Sequence, residues 1–296
     1  MRIVMDFDGV YTDPTEEGEA CAKNFLEKII SFGLKEVDLD TVEKVDSWFG
    51  ELRARQATNP FSYGWRSEGR VSAFTFEDPF IRNIGLADFL DHLAKEGDSK
   101  ANAVLKKLKS EGKINSFGEL SEWSFHQLTL KKRPDPMAKK WVQDAIQKGH
   151  EVFIVSNSAT NKIEEFLEEN DFSKSARPQV RGGARKFGLG KNPKPLLIAK
   201  GVSGFKNGEL TADTDRPIYE EALMELRPDA VIGDVFSLDL TLPLRLKREG
   251  KLEFKWGIFY RYRDYTPSTM VDLIAGRSTL VPEVKLVRDW SEVPLH

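Results

Sequence analysis

Three short apolar runs constrain this chain more than any other feature, because each stops abruptly at polar residues. Arg2-Ile3-Val4-Met5 runs into Asp6-Phe7-Asp8-Gly9, Glu151-Val152-Phe153-Ile154-Val155 into Ser156-Asn157-Ser158, and Ala230-Val231-Ile232 into Gly233-Asp234. Short continuous apolar runs rich in β-branched residues suit strands buried on both faces of a parallel sheet. The carboxyl ends of such strands share one edge, and that edge collects ligands. One strand ending in Ser or Asp is ordinarily just a turn. Three of them spread along the chain put Asp6, Asp8, Ser156 and Asp234 at the same edge. Strand alternation would aim Asp6 and Asp8 to opposite sides, but Gly9 lets the chain curl back so that both face one cavity.

What lies between the runs completes an α/β pattern. Asp135 can cap a helix with Pro136 at its first position, and Met137, Trp141, Val142, Ala145 and Ile146 then share a face until Gly149. A helix through Ile163, Phe166 and Leu167 follows, then a weak strand over Pro178 to Arg181 and a stretch rich in glycine and basic residues from Gly182 to Gly190. Pro217 opens a further helix through Ile218, Ala222, Leu223 and Leu226, while Gly257 to Tyr260 and Val284 to Val287 add strands. Strands alternating with helices predict a mostly parallel, Rossmann-like α/β sheet with helices on both faces. Residues from Pro14 to about Arg133 break this pattern. Apolar residues recur there at helical spacing around Phe25, Ile29, Val45, Trp48, Leu90, Val104, Leu120 and Trp123, with a turn-rich loop from Thr58 to Arg66. The expected organisation is therefore an α/β core of residues 1–14 and 133–296, interrupted by a mainly helical domain over 15–132.

Composition excludes several classes of protein. A length of 296 residues fits one large or two ordinary domains. With 44 basic and 47 acidic residues the net charge is −3, so no overall basic field exists to hold nucleic acid. A single cysteine, Cys21, rules out an intramolecular disulfide and suggests no thiolate metal site. No apolar run precedes Asp6 that would serve as a signal peptide, and none reaches the length of a membrane span. The expectation is a cytoplasmic protein that works away from membranes.

The string Asp6-Phe7-Asp8-Gly9-Val10-Tyr11-Thr12-Asp13 resembles the first motif of the haloacid dehalogenase superfamily, most of whose members are phosphotransferases. Ser156 matches its second motif, and Gly233-Asp234-Val235-Phe236-Ser237-Leu238-Asp239 its fourth, which carries a second acidic residue. The resemblance covers the amino-terminal segment and roughly residues 134–240; the helical block matches no motif, but helical cap domains are inserted at that point in the superfamily. It implies a Mg²⁺-dependent phosphomonoester hydrolase acting on a small phosphorylated metabolite. Asp6 would be nucleophile and metal ligand, and Asp8 the general acid and base, with its main-chain carbonyl on the metal. Asp234 would be a further metal ligand, with Asp239 behind it or as an alternative ligand. Ser156 would donate to a phosphoryl oxygen, as would the main-chain amides after Asp6, including Gly9, with Asn157 as a further contact. The chemistry suits these residue types: a phosphomonoester dianion repels an attacking carboxylate unless a cation intervenes, and Mg²⁺ takes oxygen ligands.

The third motif should be a lysine that neutralises nucleophile and phosphate. Lys186, Lys191 and Lys194 are candidates, Lys191 for its Gly-Lys-x-Pro-like context and Lys186 for its nearness to a strand end, and Arg216 can substitute for either. Gly190-Lys191 is no phosphate-binding loop of the Walker type, because Arg185 stands where such a loop needs Gly and Asn192 where it needs Ser or Thr. The four histidines show no paired metal-ligand spacing. Tyr63, Trp65, Arg66 and Arg70 suit either a substrate-reading loop or an ordinary surface, and Lys100, Lys106, Lys107 and Lys109 a solvated helix face. A phosphomutase would share every residue named for the hydrolase, and a non-catalytic binding protein retaining the fold is the rival from another class.

Overall fold

A computed structural model of the chain describes residues 1–129, 132–170, 172, 177–202, 208–276 and 280–295. In chain order it begins with strand β1 (Arg2–Met5), helices α1 (Thr15–Ile30) and α2 (Val42–Ala57), a hairpin of β2 (Gly64–Ser67) and β3 (Arg70–Phe74), and helices α3 (Pro79–Lys95), α4 (Ser99–Lys107) and α5 (Phe117–His126). Then come α6 (Pro136–Gln147), β4 (Glu151–Val155), α7 (Thr160–Glu169), β5 (Gln179–Arg181), β6 (Pro195–Lys200), β7 (Glu209–Asp213) and α8 (Pro217–Leu226). The order closes with β8 (Ala230–Gly233), α9 (Thr241–Arg248), β9 (Gly257–Arg261), α10 (Ser268–Ala275) and β10 (Val284–Val287). The chain divides into two compact units: Met1–Pro14 with Ser67–Ala73 and Lys132–His296, and Thr15–Arg66 with Phe74–Lys131.

The first unit is built on a six-stranded sheet of order β10-β9-β8-β1-β4-β5, parallel throughout. β1 lies at its centre, with Ile3 opposite Val152 on one side and Ala230 on the other. The sheet forms there because Ile3, Val4 and Met5 are all buried, as strands covered on both faces must be. The class is thus α/β and Rossmann-like, as the alternation of elements predicts. Ile3, Met5, Ile154 and Ile232 share a core with Trp141 and Trp290, and the Trp141 indole donates to Val293 O at 3.0 Å, tying the end of the chain to α6. Each such fully buried apolar side chain contributes roughly 1.5–3 kcal/mol.

In α6, Asp135 accepts from the amides of Met137 and Ala138, with Pro136 in the first turn, as its sequence predicts. The buried face differs by one residue. Met137 is 59 % exposed, and Ala138 instead joins Trp141, Val142 and Ala145, the i, i+3, i+4, i+7 set that one helical stripe allows. The sequence pattern does not predict the β2–β3 and β6–β7 hairpins or helices α9 and α10. β6 and β7 pair antiparallel as a separate hairpin, and the tip of the β2–β3 hairpin packs on the same unit. Ser72 Oγ donates to Phe187 O at 2.7 Å, Leu189 N donates to Ser67 Oγ at 2.9 Å, and Arg70 pairs with Asp213 and with the Gly190 carbonyl. The sequence reading kept these residues within the helical block.

The second unit is mainly helical. Phe25, Ile29, Val45, Trp48, Leu90, Val104 and Leu120 meet in its core. Four of its helices start on side-chain caps: Thr41 for α2, Asp78 for α3, Asp98 for α4 and Ser116 for α5. The loop expected from Thr58 to Arg66 turns and then enters β2 at Gly64. Among the described residues no helix is long and apolar enough to cross a membrane.

Candidate active site

β1 ends at Met5, and Asp6 already belongs to the turn. Asp6 N donates to Ile232 O at 3.1 Å, fastening the turn to the end of β8. Phe7 turns inward beside Tyr11 and Phe166, and its carbonyl accepts from Tyr11 N and Thr12 N at 2.9 and 3.0 Å. Gly9 is required here on two grounds. Its φ of +79° favours glycine, and a Cβ would sit 1.8 Å from Asp234 Oδ2. Arg263 holds the outside of the turn: Nε donates to Gly9 O at 2.7 Å and Nη2 to Thr12 O at 3.2 Å, while Nη1 is anchored on Asp135 Oδ2 at 2.8 Å.

β4 delivers Ser156, which is buried and whose amide donates to Arg181 O at 3.2 Å. Its Oγ accepts from Ser158 N at 3.1 Å. Asn157 holds the segment that carries Lys186: its Oδ1 accepts from Lys186 N at 2.6 Å. β8 delivers Asp234, whose Oδ2 accepts from Tyr265 OH at 2.8 Å. The π turn Phe236–Leu240 then brings Asp239 back, with Val235 N donating to Asp239 Oδ2 at 3.0 Å.

Lys186 closes the arrangement. Only 1 % exposed, its Nζ lies 2.8 Å from Asp6 Oδ1 and 2.9 Å from Asp239 Oδ1, and 5.3 Å from the centre of the Tyr219 ring. Asp6, Asp234 and Asp239 are all buried, and each offers a carboxylate oxygen within 4.8 Å of the others. Burial pushes the Asp6 carboxyl up to about 7; Lys186 opposes this and Asp239 adds to it. Burial pulls the Lys186 ammonium down, but Asp239 and Asp6 outweigh it and hold the group above its ordinary range. Three clustered carboxylates, two of them paired with one ammonium, leave repulsion that either a proton or a cation relieves. A cluster of hard oxygen donors of this kind can hold a divalent metal ion.

Asp8 stands apart from that cluster. Its carboxylate accepts from Ser158 Oγ at 3.2 Å and Thr12 Oγ1 at 3.4 Å, and Lys132 forms an ion pair with it. Of the candidates for the third-motif cation, Lys186 is the one brought to Asp6. Lys191 is exposed, Lys194 pairs with Asp215 at 3.0 Å, and Arg216 is buried against Ser72, Lys186 and Ser237. Tyr63 packs on Phe89 with ring centres 4.7 Å apart, and Arg66 pairs with Asp88 at 2.7 Å. Arg263, Tyr265, Ser158 and Lys132 escaped the sequence reading. A signal for Arg263 and Tyr265 was present, since Gly257 to Tyr260 is one more apolar run ending in polar residues.

Fold and site together define a parallel α/β protein with a buried aspartate–lysine centre at the carboxyl edge of its sheet. No family model and no curated protein matches the sequence. Solved structures similar in fold include the HAD-hydrolase YfnB from Bacillus subtilis bound to magnesium (13 % identity, 98 % of this chain and 95 % of that one, TM-score 0.42). A 2-haloacid dehalogenase from Pseudomonas syringae is also similar (11 %, 99 % and 96 %, TM-score 0.35), as is the phosphatase Tt82 from Thermococcus thioreducens (15 %, 93 % and 100 %, TM-score 0.40).

Proposed function

We propose that this protein is a Mg²⁺-dependent phosphomonoester hydrolase of the haloacid dehalogenase type that acts on a small phosphorylated metabolite through an aspartyl-phosphate on Asp6. The observation that carries the reading is the different setting of two aspartates of one turn: Asp6 is buried against Lys186, while Asp8 is held among Ser158, Thr12 and Lys132. Asp6, Asp234 and Asp239 fit Mg²⁺, since their clustered donors are carboxylate oxygens and the bare Cα of Gly9 makes room for the Asp234 carboxylate among them. Bound there, the ion would offset the negative charge of substrate and carboxylates.

In this reading a carboxylate oxygen of Asp6 bonds to phosphorus while the bond from phosphorus to the ester oxygen breaks. The departing oxygen keeps the electron pair of the broken bond and takes a proton from Asp8. Water then attacks phosphorus and gives its proton to Asp8, and the bond between phosphorus and Asp6 breaks to release phosphate. Lys186 offsets the charge of the attacking carboxylate and then of the phosphoryl group, and Ser156 and the amides of the turn hold phosphoryl oxygens. Dehalogenation has no use for Asp8 or for a carboxylate cluster. Residues 15–132 are read as a cap that selects the substrate. The test is release of inorganic phosphate from p-nitrophenyl phosphate, dependent on Mg²⁺ and abolished by Asp6→Asn. Transfer of phosphate between two sites of a sugar, without release, would make it a mutase. Binding of phosphorylated metabolites without turnover would make it a binding protein.

A further inference from the structure

We infer that Arg216 is the positioning residue that sets Lys186 against Asp6 and Asp239. The inference rests on the reading of Lys186 as the cation beside the nucleophile. Arg216 is fully buried. Its Nη1 donates to Lys186 O and, at 3.0 Å, to Ser72 Oγ. Its Nη2 donates to Ser72 O at 2.8 Å and to Ser237 O at 2.9 Å. One planar fork therefore joins three segments with no regular pairing between them: β3, the glycine-rich stretch that carries Lys186, and the π turn that carries Asp239.

The geometry matters because Lys186 and Asp239 form one ion pair, 2.9 Å long, and Arg216 grips the main chain on both sides of it. Lys186 is thereby held at its carbonyl by Arg216 and at its amide by Asn157 Oδ1. Tyr219, in the first turn of the helix that Arg216 precedes, supports the other partner, its hydroxyl donating to Asp239 O at 3.0 Å. A guanidinium presents its donors at fixed angles, which a lysine ammonium on a flexible stem cannot reproduce. Burying that charge costs stability that apolar side chains of similar volume would not. What the guanidinium supplies instead is the register of these three segments around the centre.

The experiment uses the full chain with Arg216→Lys, which keeps the charge and loses the fork. Measured well below the unfolding temperature, kcat for p-nitrophenyl phosphate should fall about tenfold or more with KM within about threefold, since a displacement near 1 Å can cost that much. A crystal structure of the variant should show Lys186 Nζ withdrawn from Asp6 or from Asp239. A parental kcat per folded molecule overturns the inference, and so does a Lys186 still seated on both carboxylates. If Arg216→Lys does not fold, Ser72→Ala removes one acceptor of the fork and should shift both readouts the same way; unchanged readouts overturn the inference equally. If the parent hydrolyses no phosphate ester, the proposed function fails, and the position of Lys186 in the variant still decides the role of Arg216.

Discussion

Lys186 Nζ stands 2.8 Å from Asp6 Oδ1 in a setting where both groups are buried. Neither charge has bulk water to fall back on, so Asp6 depends on Lys186, and Lys186 on Asp6 and Asp239. Lys186→Met should leave two carboxylates facing each other and destabilise the protein by ~3–5 kcal/mol at neutral pH, the usual result of removing one partner of a buried pair. Urea unfolding of parent and variant measures this. A loss under about 1 kcal/mol would mean that the pair is far better solvated than its burial indicates.

The raised pKa of Asp6 gives stability a definite pH dependence. A carboxyl whose folded pKa lies above its ordinary 3.8 contributes stability that is fully present below that value and lost as pH rises through about 7. In the presence of EDTA, Asp6→Asn should therefore gain on the parent as pH rises from about 4 to about 7, with little further change above. Urea midpoints across that range test it, and a pH-independent difference would count against the shift.

Metal binding should run against the same proton. Mg²⁺ must displace it from Asp6, so apparent affinity should strengthen with pH until about 7, by at most roughly tenfold per pH unit for one proton. Millimolar Mg²⁺ should also raise the melting temperature by linkage, and Asp234→Asn should blunt that response. A melting temperature indifferent to Mg²⁺ would argue against a site at these aspartates.

The two aspartates of the opening turn should fail differently. Asp6→Asn should abolish turnover without forming phosphoenzyme. Asp8→Asn should lose roughly 10²–10⁴-fold on alkyl phosphates, the usual span of general acid–base catalysis, and less on nitrophenyl phosphate, whose leaving group departs without a proton. Rapid quenching should trap label on Asp6 in the Asp8 variant. Label on Asp8 would reverse the roles.

Gly9→Ala tests the packing of that turn against Asp234. The left-handed φ alone costs of order 1–3 kcal/mol, and the new methyl would lie 1.8 Å from Asp234 Oδ2, so Asp234 must move. Loss of Mg²⁺-induced stabilisation together with activity is the expected result. A variant with parental response to Mg²⁺ would show that Asp234 tolerates displacement.

Much of this protein was determined by its sequence alone. β1, β4 and β8 were legible because a strand covered on both faces must be apolar without interruption, and Asp6, Ser156 and Asp234 were legible as the points where that requirement ends. Membership of one edge followed from parallel pairing, a property of the class rather than of particular contacts. The choice of Lys186 over Lys191 was left to the tertiary structure. The segment from Gly182 to Arg216 carries little periodic signal, and a lysine's immediate neighbours do not reveal what its ammonium reaches. That is decided by Asn157 at its amide, Arg216 at its carbonyl and two aspartates at its tip, groups distant in the chain. Arg263 and Tyr265 belong with Lys186 in this respect. Apolar burial is written locally in the sequence, whereas the partner of a buried charge is chosen by whichever segments the fold brings within three ångströms.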